Sequence, residues 1–241
     1  MLWFEKDSFK FIYDKSKTIV VVPAKNEGNN IEHVFSAVKK LGFDILLVDG
    51  HSTDNTIEIA KKYSIPVIYD NRKGKGDAIR TAVKYVCKKT HYEYIVFIDA
   101  DCSHDPNDIP KLLIGLYEDR FDMVIASRMK GGSDELHGDV NKFLRMLGSE
   151  IITLGINYRY GVRNTDYQNG FRSIKTAVAN DLELTENITS IEQEIAMKLL
   201  KKGYRISEIP SHEYSRLSGK SCISVRKVAF RYVYVWLKGL I

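Results

Sequence analysis

The strongest constraint on the fold is an alternation of continuous apolar segments with amphipathic segments. Buried strands are predicted at residues 18–22, 44–50, 66–70, 94–101 and 122–127. Between the strands, apolar residues recur three and four positions apart, which predicts helices with one buried face. Apolar strands without polar alternation are typical of a parallel sheet covered on both faces. We therefore predict an α/β fold with a mainly parallel sheet and helices on both of its faces.

The pattern changes after Gly131. A long helix is predicted at about 138–161, followed by a loop, "RNTDYQNGFRSI", that enters a strand. A helix at 191–202 and a strand, "YRISEIP", follow. These elements predict a single domain that extends from residue 1 to residue 215.

Composition places the chain among ordinary globular proteins. Of its 241 residues, 28% are charged and 44% hydrophobic, without low-complexity runs. Cys87, Cys102 and Cys222 have unrelated spacings, so we expect neither disulfides nor a zinc site, and a reduced, cytosolic compartment. Charges interrupt residues 1–17 every few positions, so we expect no signal peptide and no membrane span there.

The net charge of +5 is concentrated in the last residues, 216–241, which we call the tail. No acidic residue follows Glu213. On a helical wheel one stripe of the tail is basic, comprising Lys220, Lys227, Arg231 and Lys238. The opposite stripe is apolar, comprising Val225, Ala229, Tyr232, Trp236 and Leu240. Such a helix suits the headgroup region of an anionic membrane, or it packs on the domain or on a second copy. Nucleic-acid binding is not expected, because no nucleic-acid-binding motif accompanies the tail.

Polar clusters follow four of the predicted strands, at 23–27, 49–54, 99–101 and 127–128. The carboxyl ends of parallel strands meet at one edge of a sheet, and ligands bind in the crevice outside that edge. We therefore expect the four clusters to converge on one site.

Asp99 and Asp101 directly follow the fourth predicted strand and are separated by Ala100. Two carboxylates placed in this way can face one Mg²⁺ or Mn²⁺, whose other ligands are phosphate oxygens. Helix capping is the alternative, and it accounts for Asp105 before Pro106 but not for the two upstream acids. The first strand is followed by "VVPAKNEG", not by a glycine-rich phosphate turn, and this disfavours a dinucleotide-dependent dehydrogenase.

Six short motifs occur in an order that resembles a known family. They are P-x-x-N-E from Pro23, V-D-G-x-S-x-D from Val48, G-K-G-D-A from Gly74, D-A-D with a following H-x-P from Asp99, S-R at Ser127, and D-x-x-N-G-F-R from Asp166. Together they resemble family 2 glycosyltransferases of the GT-A fold, and within them the dolichyl-phosphate sugar synthases. The resemblance extends over residues 18–221.

The resemblance implies a nucleotide-sugar site in residues 18–130 and an acceptor site in residues 131–215. The residues that would contact the nucleotide sugar are Pro23, Lys25, Glu27, Asp49, Lys75, Asp99, Ala100 and Asp101. Asp99, Asp101 and Ser103 would bind Mg²⁺ or Mn²⁺; Ser103 stands where the family often has a glutamine ligand, so its hydroxyl or a water would take that place. Lys25 stands where the family commonly has an aromatic residue, and Asp54 would stabilise its own turn.

The resemblance also implies roles for several arginines. Arg128 and Arg172 would contact a phosphate of the donor or acceptor during catalysis, because a guanidinium matches phosphate oxygens. Arg216 and Lys220, in "RLSGKS", would contact the acceptor phosphate. Asp166 and Glu194 are further candidates. For Glu194, which shares its predicted helix with Glu192, a solvated helix face is the alternative.

The function implied is transfer of a sugar from a UDP- or GDP-sugar to a polyprenyl phosphate, by a peripheral protein at the cytoplasmic face of the membrane. Three alternatives remain open. The acceptor could be a soluble metabolite or glycan, the chain could be a sugar-phosphate nucleotidyltransferase, or it could bind sugar nucleotides without catalysis. The sequence gives no prediction of the oligomeric state.

Overall fold

The computed structural model describes residues 13–118, 120–135, 140–219 and 225–240, and gives only the backbone for 140–145 and 225–229. The strands are β1 Thr18–Ala24, β2 Asp44–Asp49, β3 Val67–Tyr69, β4 Tyr94–Phe97, β5 Met123–Ser127, β6 Arg172–Lys175 and β7 Ile206–Pro210. The helices are α1 Ile31–Lys40, α2 Thr56–Lys62, α3 Lys75–Lys89, α4 Ile109–Tyr117, α5 Arg128–Gly131, α6 Val140–Tyr160, α7 Thr176–Asp181, α8 Ile191–Lys201 and α9 Val225–Leu240.

The strands form one sheet in the order β3-β2-β1-β4-β6-β5-β7. All neighbours pair in parallel except β6, which is antiparallel to both β4 and β5. The mainly parallel α/β sheet predicted from the sequence is therefore confirmed. Because β6 runs against its neighbours, the loop that precedes it opens at the edge where β4 and β5 end.

A hydrophobic core lies on each face of the sheet. Successive residues of β1 alternate between the two, with Ile19 and Val21 in one core and Val20 and Val22 in the other. Helix α3, α8 and part of α9 cover the first core, and α1 and α4 cover the second. The unbroken apolar sequence of β1 follows from this arrangement, since both of its faces are buried.

Strand β4 is shorter than the predicted segment 94–101. Its regular pairing ends at Phe97, so Asp99 and Asp101 lie in the loop beyond the strand. The backbone there turns sharply, with Cys102 in the left-handed region at φ 64°. The two acids are thus released from sheet pairing at the edge where ligands bind in parallel sheets.

The C-terminal helix α9 packs against α6 and α8. Tyr232, Trp236 and Leu240, from the predicted apolar stripe, are partly buried against the core, which is the packing alternative for that stripe. A Cβ on Gly155 of α6 would collide with the Trp236 ring, so the two helices approach closely at this point. A second face of α9 is exposed, with Phe230 and Leu237 among its apolar residues.

Candidate active site

The candidate site lies outside the carboxyl ends of β1, β2 and β4. The loops after these strands meet the start of α3, the start of α8 and the segment 211–219. Main-chain hydrogen bonds hold this segment in place, because Tyr214 N–H donates to the Ser103 carbonyl at 2.8 Å and Leu217 N–H to the Asp101 carbonyl at 3.2 Å. The structure thus brings the "DAD" motif and the "RLSG" segment together.

Asp99 is paired with a lysine that also contacts a second carboxylate. Lys75 Nζ lies 2.6 Å from Asp99 Oδ1 and 3.0 Å from Glu192 Oε1. Burial alone would raise the pKa of Asp99, but Lys75 and then His104 outweigh burial and hold this pKa well below its usual range. Burial would lower the pKa of Lys75, but Asp99 and Glu192 raise it above its ordinary value. Asp99 and Lys75 are therefore both charged at neutral pH.

Asp101, like Asp99, pairs with a basic side chain that also contacts a second carboxylate. Arg216 Nη2 lies 2.9 Å from Asp101 Oδ2, and its Nη1 lies 2.8 Å from Glu27 Oε1. Burial opposes the charge of Arg216, but Asp101 and Glu27 outweigh it and raise the arginine pKa. The other Asp101 oxygen accepts hydrogen bonds from Ser103 N–H at 3.1 Å and from Ser103 Oγ–H at 2.6 Å.

The cluster of Glu27, Asp99, Asp101, Glu192, Lys75 and Arg216 has an excess of negative charge. By formal charge, its four carboxylates and two basic side chains leave two negative charges. The negative charge also affects Cys102: burial, together with Asp101 and Glu27, raises the pKa of its thiol to about 11. A divalent cation would neutralise this excess, and carboxylate oxygens suit Mg²⁺ or Mn²⁺.

The described residues contain no set of three or more Asp, Glu, His or Cys side chains arranged to hold a metal ion. Asp99 and Asp101 are the two carboxylates that the sequence predicts as ligands, and both lie in the cluster. Mg²⁺ is usually held by one or two carboxylates together with substrate phosphates and water, so this donor set fits the ion. Ser103 is buried and donates its hydroxyl to Asp101, so its predicted role as a direct ligand stays a prediction.

The nucleotide-sugar residues predicted near β1 and β2 lie side by side. Pro23 is opposite Val48 in the β1–β2 register, and Lys25 is exposed beside Gly50. Asp49 is fully buried and accepts hydrogen bonds from Ser52 N–H at 2.8 Å and Ser52 Oγ–H at 2.6 Å. Its contacts therefore fix the turn after β2.

Asp54 also stabilises its turn, as predicted. It accepts from Gly28 N–H at 2.9 Å and Thr56 N–H at 3.0 Å, which joins the loops after β1 and β2. Asn26 and His51, in these loops, adopt left-handed backbone conformations at φ 57° and 62°. Such conformations in residues other than glycine concentrate at binding sites. Asn26 is the asparagine of the P-x-x-N-E motif, whereas His51 occupies a variable position of V-D-G-x-S-x-D.

Arg128 lies inside the protein and is fully paired. Its guanidinium makes a two-point contact with Asp166, Nε to Oδ2 at 2.7 Å and Nη2 to Oδ1 at 2.9 Å. Nη1 donates to Glu213 Oε1 at 3.2 Å. These contacts tie β5 to the loop before β6 and to segment 211–219. The geometry supports a structural role for Arg128 and leaves its phosphate contact a prediction.

Arg172 lies deeper than the sequence prediction assumed, with 1% of its surface exposed. Its guanidinium donates to the carbonyls of Tyr167 at 3.0 Å, Asn169 at 3.0 Å and Glu192 at 2.9 Å. Burial lowers the pKa of this arginine, and no carboxylate side chain is hydrogen-bonded to it in the described part of the chain. Its position does not support contact with a phosphate; the side chain instead holds the loop before β6 against α8.

Glu192 and Glu194 are both buried, so the alternative of a solvated helix face is wrong. The carboxylate of Glu194 accepts from Thr185 N–H at 3.0 Å and Glu186 N–H at 2.8 Å, and it pairs with Lys198. Burial would raise the pKa of Glu194, but these partners outweigh it and lower the pKa. The sequence reasoning missed Glu192. Its spacing of two from Glu194 cannot identify the buried residue that reaches Lys75.

Of the two predicted acceptor-phosphate residues in the tail, Arg216 lies in the cluster, whereas Lys220 is outside the described residues.

Residues 19–182 match the sequence profile described as "Glycosyl transferase family 2". Glycosyltransferase AglJ of Haloferax volcanii is 30% identical over 83% of this chain and 64% of its own length. The dolichol-phosphate mannosyltransferase of Pyrococcus furiosus is 29% identical over 92% of this chain, which spans 64% of that protein. The UDP-N-acetylglucosamine–dolichyl-phosphate N-acetylglucosaminyltransferase of Methanococcus voltae is 26% identical over 88% of this chain and 93% of its own.

Solved structures show the same fold. Glucosyl-3-phosphoglycerate synthase from Mycobacterium tuberculosis, in complex with Mn²⁺, UDP-glucose and phosphoglyceric acid, superposes with a TM-score of 0.74. The superposition covers 100% of this chain and 85% of that chain at 17% sequence identity. The GT-A fold predicted from the motifs is therefore confirmed, and the profile match, which covers most of the chain, shows that this protein belongs to glycosyl transferase family 2.

Proposed function

We propose that the chain transfers a sugar from a UDP- or GDP-sugar to a polyprenyl phosphate, of the dolichyl type, at the cytoplasmic face of the membrane. The observation that carries the proposal is the cluster at the carboxyl end of the sheet, where both aspartates of the "DAD" motif lie. Its two excess negative charges match one divalent cation, Mg²⁺ or Mn²⁺. Relatives named for transfer to dolichyl phosphate support the choice of acceptor.

In this reaction an oxygen of the acceptor phosphate forms a bond to the anomeric carbon of the sugar. The bond from that carbon to the diphosphate oxygen breaks, and the nucleoside diphosphate leaves with the electron pair. The acceptor phosphate is already anionic at neutral pH, so the attack does not require a strong general base. A bound divalent cation would stabilise the charge that develops on the leaving diphosphate.

The chain's own residues would bind and orient the two substrates. Asp99 and Asp101 would hold the cation, and Glu27 would bind the nucleoside between the loops after β1 and β2, beside the turn that the buried Asp49 fixes. Arg216 lies on segment 211–219, at the boundary between these loops and the tail. We assign it to the acceptor phosphate because a guanidinium can exchange a carboxylate partner for a phosphate.

An exposed apolar surface supports the membrane part of the proposal. Helix α6 exposes Leu147, Ile151, Leu154 and Tyr158, and α9 exposes Phe230, Val233, Tyr234 and Leu237. The two helices touch at Gly155 and Trp236. We call these eight residues the α6–α9 surface. Lys238, exposed on α9, adds positive charge, as expected for contact with anionic headgroups, whereas Arg231 pairs with Glu186.

No helix among the described residues combines the length and the apolar character needed to cross a bilayer. The contact that we propose is peripheral, through the α6–α9 surface. This is not the apolar stripe predicted from the tail sequence, because the described part of that stripe packs on the domain.

Transfer to a soluble metabolite or glycan is the second candidate function. The likeness to glucosyl-3-phosphoglycerate synthase is a likeness of fold and does not identify an acceptor. Large apolar side chains exposed on α6 and α9, among them Tyr158 at 91% and Phe230 at 80%, favour the lipid acceptor. Family membership disfavours the nucleotidyltransferase and non-catalytic alternatives.

A panel of radiolabelled UDP- and GDP-sugars, incubated with dolichyl phosphate and Mg²⁺ or Mn²⁺, tests the proposal. We expect label from one donor to enter the organic phase only when both the cation and the lipid phosphate are present. Parallel reactions with soluble phosphorylated acceptors address the second candidate. Label in soluble products with none in the lipid would contradict the proposed acceptor, and no transfer from any donor would contradict the activity.

A further inference from the structure

Glu192 occupies an unusual position for a glutamate in the first turn of a helix. Its side chain is buried, at 2% exposure, and its Oε1 lies 3.0 Å from Lys75 Nζ. The main-chain carbonyl of the same residue accepts a hydrogen bond from Arg172 at 2.9 Å. The start of α8 is therefore fixed to the loop before β6, and the carboxylate is held beside Lys75.

Lys75 creates a conflict at the proposed cation site. Its ammonium lies 2.6 Å from Asp99 Oδ1, where it occupies an oxygen that the cation would need. An ammonium and a divalent cation on one carboxylate repel each other. Only a quarter of the Lys75 side chain is exposed, so leaving its charge without a partner would be costly. A second carboxylate for Lys75 would therefore favour binding of the cation at Asp99.

Glu192 has the capacity to be that partner. Its Oε2 is buried and has no hydrogen-bond partner among the described residues, so the carboxylate can accept a further bond from the ammonium. Gly170 leaves room for Lys75 and Asp99 where they meet. A Cβ there would lie 2.6 Å from Lys75 Nζ and 2.9 Å from Asp99 Oδ2.

We propose that Glu192 is a positioning residue that holds Lys75 away from Asp99 when a divalent cation binds. This inference rests on the cation site of the proposed function and assigns a role to a residue outside the family motifs described above. Glu192 acts through Lys75, lowering the competition between the ammonium and the cation for Asp99.

Mn²⁺ binding measured by electron paramagnetic resonance, with UDP or GDP present, tests the inference without relying on turnover. Among the described residues, Glu192→Gln leaves Lys75 with Asp99 as its one charged partner, so we expect Mn²⁺ to bind about 10-fold more weakly or worse. Lys75→Met combined with Glu192→Gln removes the competing ammonium, and we expect affinity to return to the wild-type level or above. This rescue would not follow from a merely structural role.

Glu194→Gln is the matched control, because Glu194 is a buried glutamate on the same helix that pairs with Lys198, not with Lys75. We expect its Mn²⁺ affinity to equal that of the wild type. Glu192→Asp keeps the negative charge but moves it away from Lys75, because aspartate is shorter by one methylene. It replaces Glu192→Gln in the binding measurement if Glu192→Gln does not fold. Thermal unfolding establishes that each variant is folded.

The outcomes separate this inference from the proposed function. Wild-type affinity in Glu192→Gln or Glu192→Asp, or a double variant as weak as Glu192→Gln, overturns the role of Glu192 alone. Wild-type protein that binds no Mn²⁺, or binds it equally well after Asp101→Asn, contradicts the cation site itself and with it this inference.

Discussion

Each aspartate of the "DAD" motif is joined to a basic side chain that a second carboxylate also holds. Lys75 lies between Asp99 and Glu192, and Arg216 lies between Asp101 and Glu27. This pairing keeps four carboxylates close together in the protein at a tolerable electrostatic cost. Each basic side chain also has a second carboxylate partner, so it can leave its aspartate when a cation binds there.

Asp101→Asn tests the proposed role of the second aspartate. The substitution keeps the size of the side chain but removes its charge, so the cation loses a ligand and Arg216 loses a partner. We expect the rate of sugar transfer to fall by about 100- to 1,000-fold. Asp105→Asn is the control, since Asp105 caps the turn at Pro106 and asparagine caps equally well. Equal loss in both variants would contradict a specific role for Asp101.

Arg128→Met tests the structural role that the contacts of Arg128 indicate. The variant leaves Asp166 and Glu213 buried without their guanidinium, and we expect the free energy of unfolding to fall by about 3–5 kcal/mol. Urea denaturation measures this change. Lys17→Met, which removes an exposed pair with Glu93, is expected to have little effect. A stable Arg128→Met protein that had lost transfer would instead favour the predicted contact with phosphate.

At the level of the elements, hydrophobic periodicity predicted the strands and most helices because burial alone determines that pattern. It could not predict that β6 runs antiparallel, since pairing direction depends on where the preceding loop leads. The tail was predicted to be an amphipathic helix, but α9 has two apolar faces. Tyr232 and Trp236 pack inward, while Phe230 and Leu237 are exposed.

The α6–α9 surface provides the test at this level. Replacing Leu154, Tyr158 and Phe230 together with serine removes side chains that are 70%, 91% and 80% exposed, so we expect the stability of the fold to change little. Binding to vesicles with anionic lipid should weaken about 100-fold, because each inserted side chain contributes roughly 1 kcal/mol or more. Tyr69→Ser, an exposed aromatic outside the α6–α9 surface, is the control. Unchanged vesicle binding of the triple variant would contradict contact through this surface.

Motifs predicted the positions of Asp99, Asp101, Glu27 and Lys75 at the candidate site, because strand ends converge in a parallel sheet. They did not predict how deeply each side chain is buried. Arg172 and Arg128 have the residue type that binds phosphate, but their guanidinium groups are buried and paired. Whether an arginine faces a cleft or the interior depends on partners distant in sequence, such as Glu192 and Glu213, which a linear motif does not reveal.

For the whole molecule, buried carboxylates with lowered pKa values predict sensitivity to acid. Burial would raise the pKa of Asp166, but Arg128 outweighs it and lowers the pKa, and the pKa values of Asp99 and Glu194 are lowered as well. These groups take up protons more readily in the unfolded chain, where carboxyl pKa values are about 4. We therefore expect full stability above about pH 5 and a progressive loss as the pH falls below about 4.

Thermal or urea unfolding across this pH range measures the effect. Asp166→Asn does not titrate, so the difference in stability between it and the wild type should be greatest at neutral pH and should shrink in acid. A difference that is constant from pH 7 to pH 3 would contradict the ionised Arg128–Asp166 pair.

We propose that the carboxyl end of the sheet holds a sugar nucleotide through a divalent cation bound by the "DAD" aspartates. Anomalous diffraction from crystals grown with Mn²⁺ and UDP or GDP would locate this cation. We predict one manganese peak in bonding contact with the Asp101 carboxylate and a diphosphate oxygen, with Lys75 on Glu192. A nucleotide bound with no manganese at these aspartates, or bound elsewhere on the protein, would contradict the claim.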